Sequence, residues 1–202
     1  ALQSQINPHF LFNTLEAINW KAVELTRGPN QINDMIRGLS SILTYVLQPP
    51  SGRETLANEI RHARDYLRIQ RIRFKGRFSV RWDIQPGLEH RKVIRFLLQP
   101  LLENAIYHGL REKEGHGLIT IRVREARGRL RIVVADDGLG ITQRRLAEVR
   151  SRLEDEGTDA ETGAMSIGLP NTNRRIRLTF GDGYGLGLAS EPGQGTTVTV
   201  EL

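Results

Sequence analysis

Three stretches hold the residue types that could do chemistry here: a histidine near the amino end, a Glu-Asn pair in mid-chain and an Asp-Asp-Gly turn. His9 follows Asn7-Pro8, a capping residue and a proline suited to a first helical turn. At about 100° per residue it lies ~200° from Leu11, so it points away from the apolar seam that Leu11 begins. Its helical neighbours are Asn13 and Glu16. An imidazole on a wet helix face keeps a free lone pair near neutral pH and is open to a second reactant. Glu103-Asn104 ends an apolar helical run, where a plain core helix would not place them. Asn104 offers the hard neutral oxygen that suits Mg2+, and Glu103 could orient a nucleophile or act as a base. Asp136-Asp137-Gly138-Leu139-Gly140-Ile141 puts an acid at the end of an apolar strand, followed by two glycines. The carboxylate can accept from an exocyclic amine, and the glycines let backbone approach a flat ligand. Gly168-Leu169-Pro170-Asn171 and Gly193-Gln194-Gly195-Thr196-Thr197 offer main-chain N–H groups as an anion cradle. Taken singly, these features equally fit an idle surface histidine, a helix end entering solvent and a plain Asp-Gly turn.

The elements that must position these groups follow from periodicity. Leu11, Leu15, Ile18, Ala22 and Leu25 form a heptad seam, broken at Gly28-Pro29-Asn30. A second seam at Ile32, Met35, Leu39, Ile42 and Val46 ends at Pro49-Pro50. Two helices joined by a tight turn form an antiparallel hairpin, and a second copy would complete a four-helix bundle. Thr55 reads as the N-cap of a third helix running to about Phe74, with Leu56, Ile60, Ala63 and Leu67 on one face. Phe78, Val80 and Trp82 alternate as a strand. Val93 to Gly109 reads as a helix kinked at Pro100. Ile119, Ile121 and Val123 alternate, and Leu130 to Ala135 reads as a strand buried on both faces, with a hairpin turn at Ala126 to Arg129. A charged helix is expected over Gln143 to Leu153, a mobile loop over Gly157 to Gly168, and a short helix from Pro170 to Phe180. Strands at Tyr184 to Ala189 and Thr196 to Leu202 close the chain.

Composition narrows the class. The chain has 202 residues, 39% hydrophobic and 26% charged, with a net charge of +6 and no Cys. A disulfide framework and a Cys-ligated zinc site are excluded, and a reducing compartment is expected. Collagen-like and low-complexity classes are excluded as well. No run approaches the ~20 apolar residues of a bilayer span. The basic residues are mostly Arg and are interleaved with acids, which reads as a solvated surface and not as a nucleic-acid stripe. The chain begins at Ala1 and enters helical pattern at once, so it is expected to be a piece of a longer protein with any anchor upstream. P-loop, H-R-D, D-F-G, H-E-x-x-H and G-x-S-x-G signatures are absent.

Taken in order, the stretches resemble one family. Gln5-Ile6-Asn7-Pro8-His9-Phe10-Leu11-Phe12-Asn13 resembles the phosphoacceptor box of sensor histidine kinases of the LytS/YesM type. Leu98-Gln99-Pro100-Leu101-Leu102-Glu103-Asn104-Ala105 is similar to their N box, and Asp136 to Gly140 to the G1 box of GHKL ATPases. Gly168 to Asn171 resembles the G2 box, Gly195-Thr196-Thr197 the final Gly-Thr motif, and Thr55 to Phe74 the connecting segment.

The resemblance implies an α+β protein: a helical dimerisation and phosphotransfer hairpin over residues 1–50, a connecting helix over 51–76, and a Bergerat-type α/β sandwich binding ATP over 77–202. It implies that His9 is phosphorylated, and Glu103 is the candidate catalytic residue beside it. It places Asn104 on Mg2+ and on the ATP phosphates. His108, Asp136, Gly138, Gly140, Ile141, Gly168, Leu169, Thr196 and Thr197 complete the nucleotide site, with Asp136 accepting from the adenine amine. An aspartate of a response regulator is the implied next acceptor, and a homodimer the implied assembly. The implied location is the cytoplasmic part of a membrane-anchored sensor. Two departures stand out. Ser166 occupies a position where the G2 pattern has glycine, and its Cβ is expected to restrict the lid or to crowd a phosphate. Phe10 follows His9 where many histidine kinases have an acid, so either Glu103 or Asn13 is expected to assist or the neutral imidazole to need no strong base. The rival readings are a GHKL hydrolase or clamp without phosphohistidine, and a weakly binding scaffold pseudokinase.

Overall fold

The computed structural model describes residues 8–47, 53–154 and 168–202. The readings for Gln5 to Asn7, Pro49-Pro50, Ser166 and the loop from Gly157 to Ile167 lie outside them. The chain divides into two compact units, residues 1–51 with 60–76, and residues 52–59 with 77–202. Residues 51–76, read from sequence as one connector, therefore split between them within a single helix.

The first unit holds α1 (Pro8–Thr26), α2 (Gln31–Leu47) and most of α3 (Leu56–Arg73). Asn30 caps α2 by accepting from the Ile32 N–H at 2.8 Å, while its own N–H donates to Asn33 Oδ1 at 2.9 Å. This is the reciprocal arrangement of a capping box. The Asn33 amide, 1% exposed, also donates across to Asn19 O and Oδ1 at 2.9 and 2.8 Å, fixing the register of α2 on α1. Asn33→Leu should lower hairpin stability by about 2 kcal/mol, because it strands the Asn30 N–H and the Asn19 oxygens together. Thermal melting of the variant checks this.

The heptad seams form the covered face of this hairpin only in part: Ala22 is buried and Leu11, Leu15, Met35 and Ile42 are half-buried. Ile18, Leu25, Ile32, Leu39 and Val46 remain exposed, whereas α2 buries Asn33, Ile36, Gly38 and Tyr45. The reason is that α2 has apolar residues on two sides, and α3 covers the other one. Tyr45 stacks on His62 at 4.4 Å, Ser41 donates to Asp65 at 2.5 Å, and Gly38 lets Ile69 approach. The exposed part of each seam is left outward on the chain.

The second unit carries the mixed sheet. Its five strands are β2 (Phe78–Ile84), β4 (Gly117–Ala126), β5 (Arg129–Asp136), β6 (Gly185–Glu191) and β7 (Gly195–Glu201), in the order β2-β4-β5-β7-β6. β2 and β4 are parallel and the other pairs antiparallel. The turn joining β4 to β5 has Arg127 and Gly128 in the left-handed region, which matches the twist of a two-residue hairpin. β1 (Arg53–Thr55) pairs separately with β3 (Lys92–Ile94). Thr55 Oγ1 then accepts from the Asn58 N–H at 3.2 Å and caps α3 as expected.

Three expectations need correction. Leu130 to Ala135 is not buried on both faces: Leu130, Ile132 and Val134 face the core, Arg131 is exposed, and Val133 and Ala135 are half-buried. The helices cover only one side of the sheet, so the strand alternates. Val93 to Gly109 is not one kinked helix. It begins as β3, then α4 (Leu98–Glu103) runs into a wider π turn over Asn104–Leu110. Pro100 falls in the first turn of α4, where an amide N–H has no intrahelical acceptor, so it bends nothing. α6 (Gly168–Phe180) starts two residues ahead of Pro170 for the same reason. α5 (Gln143–Glu154) is the expected charged helix, lying against β6 with α6.

Candidate functional site

Two adjoining cavities open on the helical side of the second unit. The narrower, about 70 Å³, is walled by apolar Ile141, Val149, Leu169, Pro170 and Leu188 with Thr196, Arg145, Asn104 and His108. The wider, about 380 Å³, is lined by Pro100, Glu103, Asn104, Tyr107, His108, Arg111, Gly168 and Leu169. Asn104, His108 and Leu169 belong to both and mark where they meet. The π turn carries Asn104, Tyr107 and His108, and widened turns of this kind recur at functional sites.

Asp136 stands behind the narrow cavity. It is directly opposite Thr196 in the β5–β7 register, so the two side chains share a face. Its Oδ1 accepts from Gly138 N–H at 2.9 Å and Thr196 N–H at 3.3 Å. Burial pushes this carboxyl up to about 6; the two N–H groups oppose the shift, Asp137 adds to it, and Lys113 offsets part of it. Close backbone approaches make this placement possible. A Cβ on Gly109 would overlap the Asp136 carboxylate, and one on Gly138 would overlap the Gly109 carbonyl. Gly140 (φ +64) lies against the Glu191 carbonyl, and Gly195 (φ +93) against the Asp136 carbonyl. Both have left-handed backbone that a side chain rarely adopts. Ser190 ties these loops together by donating to Gly195 O at 2.8 Å and accepting from Ile141 N–H at 3.0 Å.

The surrounding charges are divided. Partial burial pulls Asp137 up, but Lys113 at 2.7 Å and the Leu118 N–H hold it below the usual range. Burial, with Arg145 nearby, lowers His108 and keeps it neutral at pH 7. Glu103 accepts from the Gln99 amide at 2.9 Å. Arg111 and Arg145 leave the joined cavities receptive to an anion.

Of the residues singled out in the sequence, Asn104, His108, Ile141, Leu169 and Thr196 line the narrow cavity, while Glu103 and Gly168 line the wider one. Asp136, Gly138 and Gly140 line neither cavity; Asp136 meets the narrow one through Thr196, and Gly140 adjoins Ile141. Thr197 alternates to the other face of β7 from Thr196. His9 belongs to the first unit, exposed on α1, with the Asn13 amide 3.2 Å from its Nδ1. Sequence reasoning missed Arg145 and Val149. They lie one turn apart on α5, and that i, i+4 spacing within a charged helix was the available signal. It also missed Tyr107, Arg111 and Leu188, for which no local pattern exists, while Pro170 lies within the Gly168 to Asn171 stretch already singled out.

Comparison with known proteins agrees with this architecture. The family "Histidine kinase" matches residues 1–78, and "Histidine kinase-, DNA gyrase B-, and HSP90-like ATPase" matches residues 89–202. The chain is 37% identical to Sensor histidine kinase YesM of Bacillus subtilis (strain 168), over all of this chain and 32% of that protein. It is 34% identical to Sensor histidine kinase BtsS of Escherichia coli (strain K12), again over all of this chain and 32% of the relative. The chain thus spans about a third of the length of these curated relatives. Among solved structures, the histidine kinase domain of the Erythrobacter litoralis EL346 blue-light activated histidine kinase aligns with a TM-score of 0.51 at 15% identity, covering 98% of this chain and 85% of that one. Mycobacterial sensor histidine kinase MprB aligns with a TM-score of 0.51 at 17% identity, covering 74% of this chain and 95% of that one. These two likenesses concern the fold alone. With both halves matched in order, the chain belongs to the sensor histidine kinases of the LytS/YesM type, and its carboxyl-terminal half is a GHKL ATPase module of α+β fold.

Proposed function

We propose that the chain is the autophosphorylating part of a sensor kinase: the second unit binds ATP with Mg2+ and transfers the γ-phosphoryl group to His9. The observation that carries this reading is the pair of joined cavities, one apolar and backed by Asp136, the other polar, meeting at Asn104 and His108. The apolar walls of the first suit a purine, which needs more than its about 70 Å³, so the cavity would widen on binding, with the exocyclic amine directed at the Asp136 carboxylate and Thr196. The phosphates then extend past Asn104 toward Arg111.

Mg2+ fits this donor set. Among the described residues no group of three His, Cys, Asp or Glu could hold a metal. Asn104 would supply one neutral hard oxygen, with phosphate oxygens and water as the remaining ligands of Mg2+. When bound, it spreads the negative charge of the transferring phosphoryl group. Transfer then needs mainly alignment. A His9 ring nitrogen forms a bond to the γ-phosphorus as the bond from phosphorus to the β–γ bridging oxygen breaks and ADP leaves. The Asn13 amide holds the ring, and the proton on the imidazole passes to Glu103 or water. The outward heptad seams of α1 and α2 suit a second copy of the chain as the dimer partner. An aspartate of a response regulator would receive the phosphoryl group next. The longer protein would be anchored in the membrane by a region outside this chain.

Incubation with γ-labelled ATP and Mg2+ should give an acid-labile, base-stable phosphoprotein, and His9→Gln should remove the label. Free phosphate without phosphoprotein would replace this reading with a hydrolase. Failure to bind nucleotide would leave a scaffold. Undiminished labelling in Glu103→Gln would remove Glu103 from proton transfer.

A further inference from the structure

We propose that Glu59 is a positioning residue for the nucleotide site, holding Asn104 in place through α4; this rests on the ATP-binding reading above. Glu59 lies in the first turn of α3 and is fully buried. One carboxylate oxygen accepts from the Phe96 N–H at 2.6 Å, the other from Leu97 at 2.9 Å and Leu98 at 3.3 Å. These N–H groups open α4 and have no acceptor inside it. Leu97, at the N-cap, supplies no side-chain bond. Phe96 sits at φ 55, which turns three successive N–H groups toward one point, the concave arrangement that binds anions. The chain fills this nest with its own carboxylate.

The sequence distance of this partner is what gives it a role beyond capping. A Ser or Asp at position 97 would satisfy the helix end locally and leave the helix free to shift. Glu59 reaches from 37 or more residues away and ties the start of α4 to the first turn of α3, the part of that helix that belongs to the same unit. Asn104 follows Leu98 by six residues, ~9 Å at the rise of a helix. It stands where the two cavities join. Asp136, Thr196 and Leu188, at the other end of the site, stand on strands of the sheet. Loosening the anchor therefore disturbs the phosphate end more than the base end, where Asn104 and His108 are joined by walls from the sheet, α5 and α6.

The test uses the whole chain with Mg-ATP and adenosine as probes, read by calorimetric titration. Glu59→Gln keeps the side-chain length but turns an amide N–H toward main-chain N–H groups. The ATP Kd should rise about tenfold while the adenosine Kd stays within about twofold, a split that general destabilisation does not produce. Unchanged ATP affinity, or equal loss for both probes, overturns the proposal. A wild-type chain that binds neither probe instead sinks the ATP reading, and this proposal with it. Should Glu59→Gln fail to fold, the wild-type chain still decides, because coupling is reciprocal. Saturating Mg-ATP should slow amide hydrogen exchange at Phe96, Leu97 and Leu98, and adenosine should not. Exchange that ignores both overturns the assignment.

Discussion

Asp136→Asn should abolish useful nucleotide binding and at the same time stabilise the empty protein at neutral pH. Both effects come from one carboxylate. Its Oδ1 is occupied by two main-chain N–H groups, and an Asn Oδ1 can keep them. The other oxygen becomes an NH2 group, which would face the exocyclic amine of a purine donor to donor. Leaving both donors without an acceptor in a buried site costs about 3 kcal/mol, a loss in affinity of roughly 100-fold or more. The stability effect has the opposite sign. Burial raises the folded carboxyl from 3.8 to about 6. A group raised on folding contributes its stability below the unfolded value and loses it as pH rises through the folded value. The empty protein should therefore lose up to about 3 kcal/mol between about pH 4 and pH 7 from this group. Denaturant melts of wild type and variant across that range should converge at low pH and separate at pH 7. ATP affinity should follow the reverse course, weakening about tenfold per pH unit below about 6, since the amine requires the charged form. Protonation of His108 at low pH would favour a polyanion, so it cannot produce that loss. A pH-independent ATP Kd would remove Asp136 from the base-binding role.

The second large effect concerns stability and rests on backbone contacts. Gly140→Ala and Gly195→Ala should each destabilise the second unit by about 4 kcal/mol or more, a large share of a typical domain's margin. Each position has a positive φ, and each added methyl would be driven into a main-chain carbonyl, that of Glu191 or of Asp136. Main chain held in a sheet and its turns cannot swing aside as a flexible side chain does. Gly168→Ala is the internal control. Its Cβ would find only Pro100 Cβ at an ordinary 3.6 Å, and Ala favours the helix that Gly168 opens. That variant should melt within about 0.5 kcal/mol of wild type. Any change in its ATP affinity would then report on the site and not on folding. Equal stability of all three variants would mean that these glycines are not held where the Asp136 pocket requires them.

What the residues determined alone is local. Heptad spacing made α1 and α2, Thr55 began α3, and alternation at Ile119, Ile121 and Val123 made β4, because periodicity and capping act over a few residues. The acid-glycine and Glu-Asn motifs were legible for the same reason, and their order along the chain carried the family resemblance. Tertiary structure decided what lies between segments distant in sequence. It chose the Ile36–Tyr45 side of α2 over the heptad seam, and it turned the start of a supposed kinked helix into a strand paired with β1. It set Asp136 opposite Thr196, 60 residues away, and gathered Arg145, Val149 and Leu188 into one cavity. It also gave Glu59 its three N–H partners. Such contacts depend on strand register and on where each helix settles on the sheet, which are fixed by burial summed over the whole unit and leave no local pattern in the chain.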